Sequence, residues 1–332
     1  MSELRKDPIT GRWVIITTEG QKRPSDFCIE PTEQKPTQFC PLCGGNEDKT
    51  PSEVLAYRQN GGAPNSPGWD VRVVPNRVPA LQVEGSVERH GDGVFDRMSG
   101  IGADEVIIET PDHMQTLATL PESAIAKVLW AFHDRVVDLK QDRRFQSILV
   151  FKNHGAAAGA ALDHSHSQLI ALPIVPRHVR EEVDGAHQHY QVKDRCIFCD
   201  IIDQEVRGEE RVVGESADFV ALAPYAPRFP FETWLLPRHH RAFFEDAPRQ
   251  DIESLSRSIK DVLQRMNRAL LMPPYNLVIH SSPFYESTGE FYHWHVEIIP
   301  ILTKVAGFER GSGFHINPVA PEEAAKVLRT YL

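Results

Sequence analysis

The sequence predicts an α+β protein made of two similar units, each a mainly antiparallel sheet with helices packed on one side. Three observations carry that prediction. At 332 residues the chain exceeds the length at which a single hydrophobic core usually stops growing. One order of features occurs twice: a C-x-x-C pair, a strand ending in proline and histidine, an amphipathic helix, a second strand, a loop and an H-x-H triplet. The gaps between corresponding histidines, His113 to His164 and His240 to His293, are nearly equal.

In the first unit Cys40-Pro41-Leu42-Cys43 precedes a strand at Glu105–Glu109 that ends in Pro111-Asp112-His113. Ile125, Val128, Leu129, Phe132, Val136 and Leu139 then recur at helical spacing. A strand at Ser147–Lys152 leads through the small-residue run Gly155-Ala156-Ala157-Ala158-Gly159 to His164-Ser165-His166. In the second unit Cys196-Ile197-Phe198-Cys199 precedes a strand at Phe231–Leu236 that ends in Pro237-Arg238-His239-His240. A helix follows with Ile252, Leu255, Ile259, Val262, Leu263, Met266 and Leu270 facing inward. A strand at Asn276–His280 then leads to His293-Trp294-His295-Val296-Glu297. The boundary falls after Pro173-Ile174-Val175-Pro176, giving units 1–176 and 177–332, with a polar stretch at Arg177–Arg195 that shows no clean period.

Composition narrows the function. A formal net charge of −10 argues against a general nucleic-acid binder, while leaving room for a single nucleotide in a local site. No apolar run reaches membrane-spanning length and the N-terminus leads into no signal-peptide core, so the reading is cytoplasmic. Five cysteines, four of them in two C-x-x-C pairs with Cys28 left over, suggest metal ligands more than disulfides. A thioredoxin-like redox pair is the weaker reading, because neither pair sits between a buried strand and a helix.

The motif richest in chemistry is His164-Ser165-His166-Ser167-Gln168. Strand alternation puts both histidines and the glutamine on one face and both serines on the other. The preceding glycines let backbone approach a ligand closely. Zinc in a closed site takes four nitrogen or sulfur ligands, and each unit offers such a set. Cys40, Cys43, His113 and His164 form the first; Cys196, Cys199, His240 and His293 form the second, with His239 and His295 as substitutes for the two histidines. Two zinc ions per chain are expected. A liganded imidazole has lost its nucleophilic lone pair, so His166 is left as the nucleophile. The duplication is unequal: Glu297 stands where the first unit has Gln168, and Pro283–Gly289 replaces the small-residue loop. The first unit therefore reads as catalytic, the second as structural or substrate-closing.

Taken together, Arg5–Val14, Lys22-Arg23-Pro24, Phe39–Cys43, Pro75-Asn76-Arg77, Pro111-Asp112-His113, Asn153-His154-Gly155, His164–Gln168, His293-Trp294-His295 and Gly307-Phe308-Glu309 resemble the galactose-1-phosphate uridylyltransferases of the histidine-triad superfamily, nearly end to end. The resemblance implies two histidine-triad-like domains in a homodimer with active sites at the subunit interface. It implies that His166 attacks the α-phosphorus of a nucleotide-sugar, so that UMP passes from UDP-glucose to galactose 1-phosphate through a uridylyl-histidine. Gln168 would hydrogen-bond the phosphoryl group, and Asn153 with Gly155 to Gly159 would lie along the phosphates. Arg23 and Asn76 would face the nucleoside; Lys304, Phe308 and Glu309 would face the hexose. Ser165, Ser167, Ala161 and Arg77 depart from the usual family residues. The H-S-H-S-Q form and the second cysteine pair look like the ADP-glucose phosphorylase branch, which passes an adenylyl group to phosphate. A histidine-triad hydrolase would carry a third histidine where Gln168 stands, and a neutral amide takes no proton from water. A non-enzymatic zinc scaffold leaves His166 and Gln168 unexplained.

Overall fold

The chain opens with a hairpin, β1 (Glu3–Lys6) and β2 (Trp13–Ile16), in a computed structural model that describes residues 2–17 and 19–331. Next come β3 (Leu55–Tyr57), β4 (Val71–Pro75), an exposed hairpin of β5 (Arg89–Asp92) and β6 (Phe95–Met98), and β7 (Ala103–Ile108). Helix α1 (Glu122–Leu139), β8 (Ser147–His154) and β9 (His166–Leu172) complete the first half. The second half runs α2 (Arg177–Lys193), α3 (Ile197–Gly208), β10 (Val212–Glu215), β11 (Phe219–Leu222), β12 (Thr233–Pro237), α4 (Arg249–Leu270), β13 (Tyr275–His280) and β14 (His295–Pro300). It ends with α5 (Gly307–Ser312), β15 (His315–Asn317) and α6 (Pro321–Thr330). No helix among the described residues is long and apolar enough to cross a membrane.

Helix ends follow local chemistry. Pro121, Pro176 and Pro248 stand at the N-caps of α1, α2 and α4 in extended conformation, a natural place for a residue without an N–H. Asp194, Glu209 and Leu271 end α2, α3 and α4 in the left-handed conformation that closes a helix. The polar stretch after residue 176 is thus a helix: α2 buries only Val179, Val183 and Ala186, too few positions for a periodic signal.

The two halves share one ten-stranded antiparallel sheet, ordered β10-β11-β12-β14-β13-β8-β9-β7-β4-β3, and join at the pairing of β8 with β13. The order reads the same from either edge once the halves are matched, so a pseudo-two-fold passes between β8 and β13. One cross-strand row spans eight strands: Val74, Val106, Gln168, Phe151, then Val278, Glu297, Trp234, Leu222. On one face α1 and α4 pack against each other and the sheet, burying all thirteen apolar helix positions read from the sequence. Phe132, 2% exposed, fills enough of that layer that Phe132→Ala would cost about 3–5 kcal/mol.

Across the other face, α2 and α3 cover the C-terminal half around Phe198, Leu222 and Leu236, while the Cys40–Cys43 loop with Trp69 covers the outer strands of the N-terminal half. A small sheet of β1, β2 and β15 ties the two chain ends together. The turn after β1 crosses α2 so closely that a Cβ on Gly185 would lie 1.8 Å from the Ile9 carbonyl oxygen.

Candidate active site

His164 and His166 use opposite ring nitrogens, and that division organises the site. His164 Nε2 lies 2.7 Å from the Thr110 carbonyl. A carbonyl only accepts, so Nε2 carries the proton and Nδ1 keeps its lone pair. His166 Nδ1 lies 2.7 Å from the His164 carbonyl, which puts its proton on Nδ1 and the lone pair on Nε2. Burial, with the Lys152 charge behind it, holds the His166 pKa below its ordinary value, so the ring is neutral near pH 7. Gln168, two residues along the strand, shares the half-open face with Ile170 and Leu172, whereas Ser165 and Ser167 are buried on the other.

The free Nδ1 of His164 faces a set of metal-capable atoms. It lies 3.6 Å from Cys40 Sγ, 3.5 Å from Cys43 Sγ and 3.3 Å from His113 Nδ1; Cys43 Sγ to His113 Nδ1 is 3.7 Å. Tetrahedral zinc with bonds of about 2.0–2.3 Å requires ligand-to-ligand edges of roughly 3.3–3.8 Å, so this donor set fits. Burial and the neighbouring Cys40 raise the Cys43 thiol to about 11, a cost that a bound dication removes. Cys196, Cys199, His240 and His293 converge likewise, with Cys199 Sγ 3.4 Å from His240 Nδ1 and 3.6 Å from His293 Nδ1. His240 Nε2 and His293 Nε2 meet the Gly289 and Pro237 carbonyls, fixing both rings as metal-binding histidines usually are. This second pair opens helix α3, with Cys196 as its N-cap.

Beside His166, Asn153 and the glycine-rich loop form one wall. Gly155 has φ +85°, and a Cβ there would stand 2.6 Å from Thr32 Oγ1. Gly159 is left-handed at φ +93°. Asn276, from the other half, donates to Asn153 Oδ1 at 2.7 Å and to the Ala158 carbonyl at 2.9 Å, pinning the loop. Asn76 donates to Asp104 at the end of β4, and Arg23 is exposed after β2. Lys304, Phe308 and Glu309 lie on or just before α5, which packs on β15. No hydrogen bond, ion pair or ring contact joins these three to His166 or Gln168 among the described residues. A cavity of about 490 Å³ on this face runs from Phe151 and Asn153 to His280 and Glu297.

Two clusters escaped the sequence reading. Behind His166, Glu109 and Lys152 form a fully buried ion pair. In the second half, His295 repeats the His166 geometry, with Nδ1 donating to the His293 carbonyl at 3.1 Å. It stacks on His280, ring centroids 4.5 Å apart, and His280 lies between Glu182 and Glu297. Burial opposes charge on His280, but the two carboxylates outweigh it and raise its pKa to about 10. Glu182, His280 and His295 bring ligand-type atoms within 4.8 Å of one another, yet a protonated His280 is a cation between carboxylates. Arg228 closes the cluster on Glu297. A histidine in the strand pattern at 280 was the available signal; Glu182 lay in the stretch without period.

The geometry sets out a neutral histidine with a free Nε2, an amide beside it and a glycine-rich loop. The profile described as galactose-1-phosphate uridyl transferase, N-terminal domain, matches residues 1–176, and its C-terminal counterpart matches residues 182–329. The chain belongs to the galactose-1-phosphate uridylyltransferase family and is an enzyme of that family, which acts on nucleotide-sugars and sugar phosphates. ADP-glucose phosphorylase of Arabidopsis thaliana is 37% identical, covering 98% of this chain and 92% of its own. Galactose-1-phosphate uridylyltransferase of Thermotoga maritima is 31% identical, covering 99% and 98%. Among solved structures, the Arabidopsis ADP-glucose phosphorylase with bound ADP-glucose superposes with a TM-score of 0.82 at 35% identity over 99% of both chains.

Proposed function

We infer that this enzyme transfers a nucleotidyl group through His166. The observation that carries the reading is the tautomer: Nδ1–H is spent on the His164 carbonyl, so the Nε2 lone pair is the one available to attack. Nε2 bonds to the α-phosphorus, the bond to the bridging oxygen breaks, and hexose 1-phosphate leaves with that electron pair. An acceptor phosphate oxygen then attacks the same phosphorus and His166 departs, the ping-pong course of covalent catalysis. Gln168 hydrogen-bonds the phosphoryl oxygens, and Asn153 with Gly155 to Gly159 line the phosphates. Arg23 and Asn76 face the nucleoside.

Two substrate pairs fit the reading. UDP-glucose with galactose 1-phosphate makes the chain a hexose-1-phosphate uridylyltransferase. ADP-glucose with phosphate is favoured by one observation, the higher identity to the Arabidopsis phosphorylase than to the Thermotoga transferase, and ADP-glucose is therefore the donor to try first. Lys304, Phe308 and Glu309 serve the hexose from a second copy of the chain, so the active form is a homodimer. The functional division follows units 1–176 and 177–332. Zinc fills both Cys/His sets, and a cytoplasmic setting keeps their thiols reduced. Zinc at the first set holds the His164 end of the strand; the chain's own residues do the rest.

The test is incubation with each donor, without acceptor, followed by mass spectrometry under denaturing conditions. An AMP or UMP adduct on the peptide containing His166 is expected, and its identity decides the base. Absence of any adduct with both donors overturns the reading.

A further inference from the structure

The first residues of β9 are held from behind by two charged side chains that take no part in the chemistry above. Glu109 receives the Ser165 hydroxyl on Oε2 and the Ser167 hydroxyl on Oε1, each at 2.5 Å. Lys152 Nζ donates to Glu109 Oε2 at 2.8 Å, to Ser165 Oγ at 3.1 Å and to the His166 carbonyl at 2.9 Å. One carboxylate thus brackets the nucleophile on both sides, and its counter-ion grips the nucleophile's own carbonyl. Both charged side chains are at most 1% exposed.

The other half of the molecule shows what the fold alone requires at these positions. The shared cross-strand row matches His166 with His295, so Glu109, Lys152, Ser165 and Ser167 correspond to Pro237, Ile279, Trp294 and Val296. All four of those are buried, and none carries a charge. The same sheet closes there with apolar packing, and apolar replacement of a buried ion pair is often neutral or stabilising. The half with the charges is the half that carries Gln168 and the glycine-rich loop beside its histidine. Pairing of β7 with β9 ends at Ile108 and His166, so His166 stands on the last rung, and the four side chains continue its support where the ladder stops.

We propose that Glu109, Lys152, Ser165 and Ser167 are positioning residues that lock the His166 backbone so that Nε2 meets the α-phosphorus in line; this rests on His166 being the nucleophile. A reacting group misplaced by about 1 Å loses on the order of a hundredfold in rate.

The test is the double variant Glu109→Gln/Lys152→Met, which removes both charges at similar volume. Single-turnover release of glucose 1-phosphate from ADP-glucose or UDP-glucose, whichever labels the parent enzyme, gives rate and donor affinity separately. The rate should fall roughly a hundredfold with donor affinity within about twofold. A folded double variant with parental rate overturns the proposal. If it does not fold, Ser165→Ala and Ser167→Ala, which leave the ion pair intact, decide. Each should be about tenfold slower in protein that remains folded, with donor affinity unchanged and with Ser167→Thr restoring the rate; parental rates in both overturn the proposal. A parent enzyme that forms no adduct overturns the nucleophile reading instead, and this inference with it.

Discussion

Two histidines stand at matched places on one sheet, and their surroundings differ in kind. Around His166 the open face carries neutral groups, Gln168, Asn153 and a glycine-rich loop, while the charges of Glu109 and Lys152 lie behind the strand. Around His295 the arrangement is inverted. The open face carries Glu182, His280, Glu297 and Arg228, and the back is apolar. An anionic phosphate meets neutral donors on the first face, whereas on the second the carboxylates of Glu182 and Glu297 already engage the cations of His280 and Arg228. A duplicated backbone thus carries neutral donors beside one histidine and an ion cluster beside the other, and the difference lies in where the charges were placed.

The largest effect that tests this contrast is on the histidines themselves. His166→Asn should abolish adduct formation and turnover together, by more than about 10⁴-fold, whereas His295→Asn should still form the adduct. Equal loss of adduct in both variants, read by mass spectrometry in folded protein, would break the comparison.

The metal sets come next. Elemental analysis of protein purified without added metal should give two zinc ions per chain. Cys40→Ser should lose one of them together with most activity, because His164, whose Nδ1 faces the Cys40 thiol, lies two residues from His166. Cys196→Ser should lose the other and chiefly lower the melting temperature. Activity lost from a well-folded Cys196→Ser variant would join the two halves functionally.

A smaller effect follows from the ion cluster. Glu297→Gln leaves Arg228 and His280 short of a carboxylate in a buried site, which should cost about 3 kcal/mol in chemical denaturation. Adduct formation per folded molecule should stay at the parental level. A loss of adduct without loss of stability would place Glu297 in the reaction.

The repeat, both amphipathic helices and both Cys/His sets were legible in the sequence because each depends on local spacing. Ile125 to Leu139 and Ile252 to Leu270 announce a helical face without reference to anything distant. The choice of His240 and His293 over His239 and His295 rested in the sequence on the repeat alone; in three dimensions both of those rings meet Cys199. The merging of two sheets into one was not legible, because a β8–β13 pairing between halves leaves no mark on either strand. Lys152 did leave one: it sits at an alternate position with Ile148 and Val150, where a half-buried strand calls for an apolar residue. A charge at such a position requires a buried partner, and Glu109 at the end of the neighbouring apolar strand was the one available.

The smallest expected effect concerns pH, and it again separates the halves. His280 is held at about 10, above its ordinary value near 6.5. A raised histidine contributes stability that is complete below pH 6.5 and lost as the pH rises toward 10. Glu232 acts in the same direction, because burial and the Glu297 charge raise it to about 8, so its ionisation above pH 4.5 also works against the fold. Glu182 has the opposite sign: burial opposes its ionisation, but His280 holds it near 2, so its contribution is complete above pH 4.5 and lost below. In the first half His154 and His166 are depressed, chiefly by burial, and their contributions are complete above pH 6.5 and lost on acidification. Between about pH 7 and 9, below the range in which the raised Cys43 thiol ionises, the alkaline limb of the stability profile therefore belongs chiefly to the second half. His280→Gln should flatten the fall in melting temperature between pH 7 and 10 by a few degrees. The shape of the limb is the readout, since the substitution also lowers stability at neutral pH. A limb as steep in the variant as in the parent would mean that the His280 cluster does not control it, and that the two halves differ in chemistry but not in their response to pH.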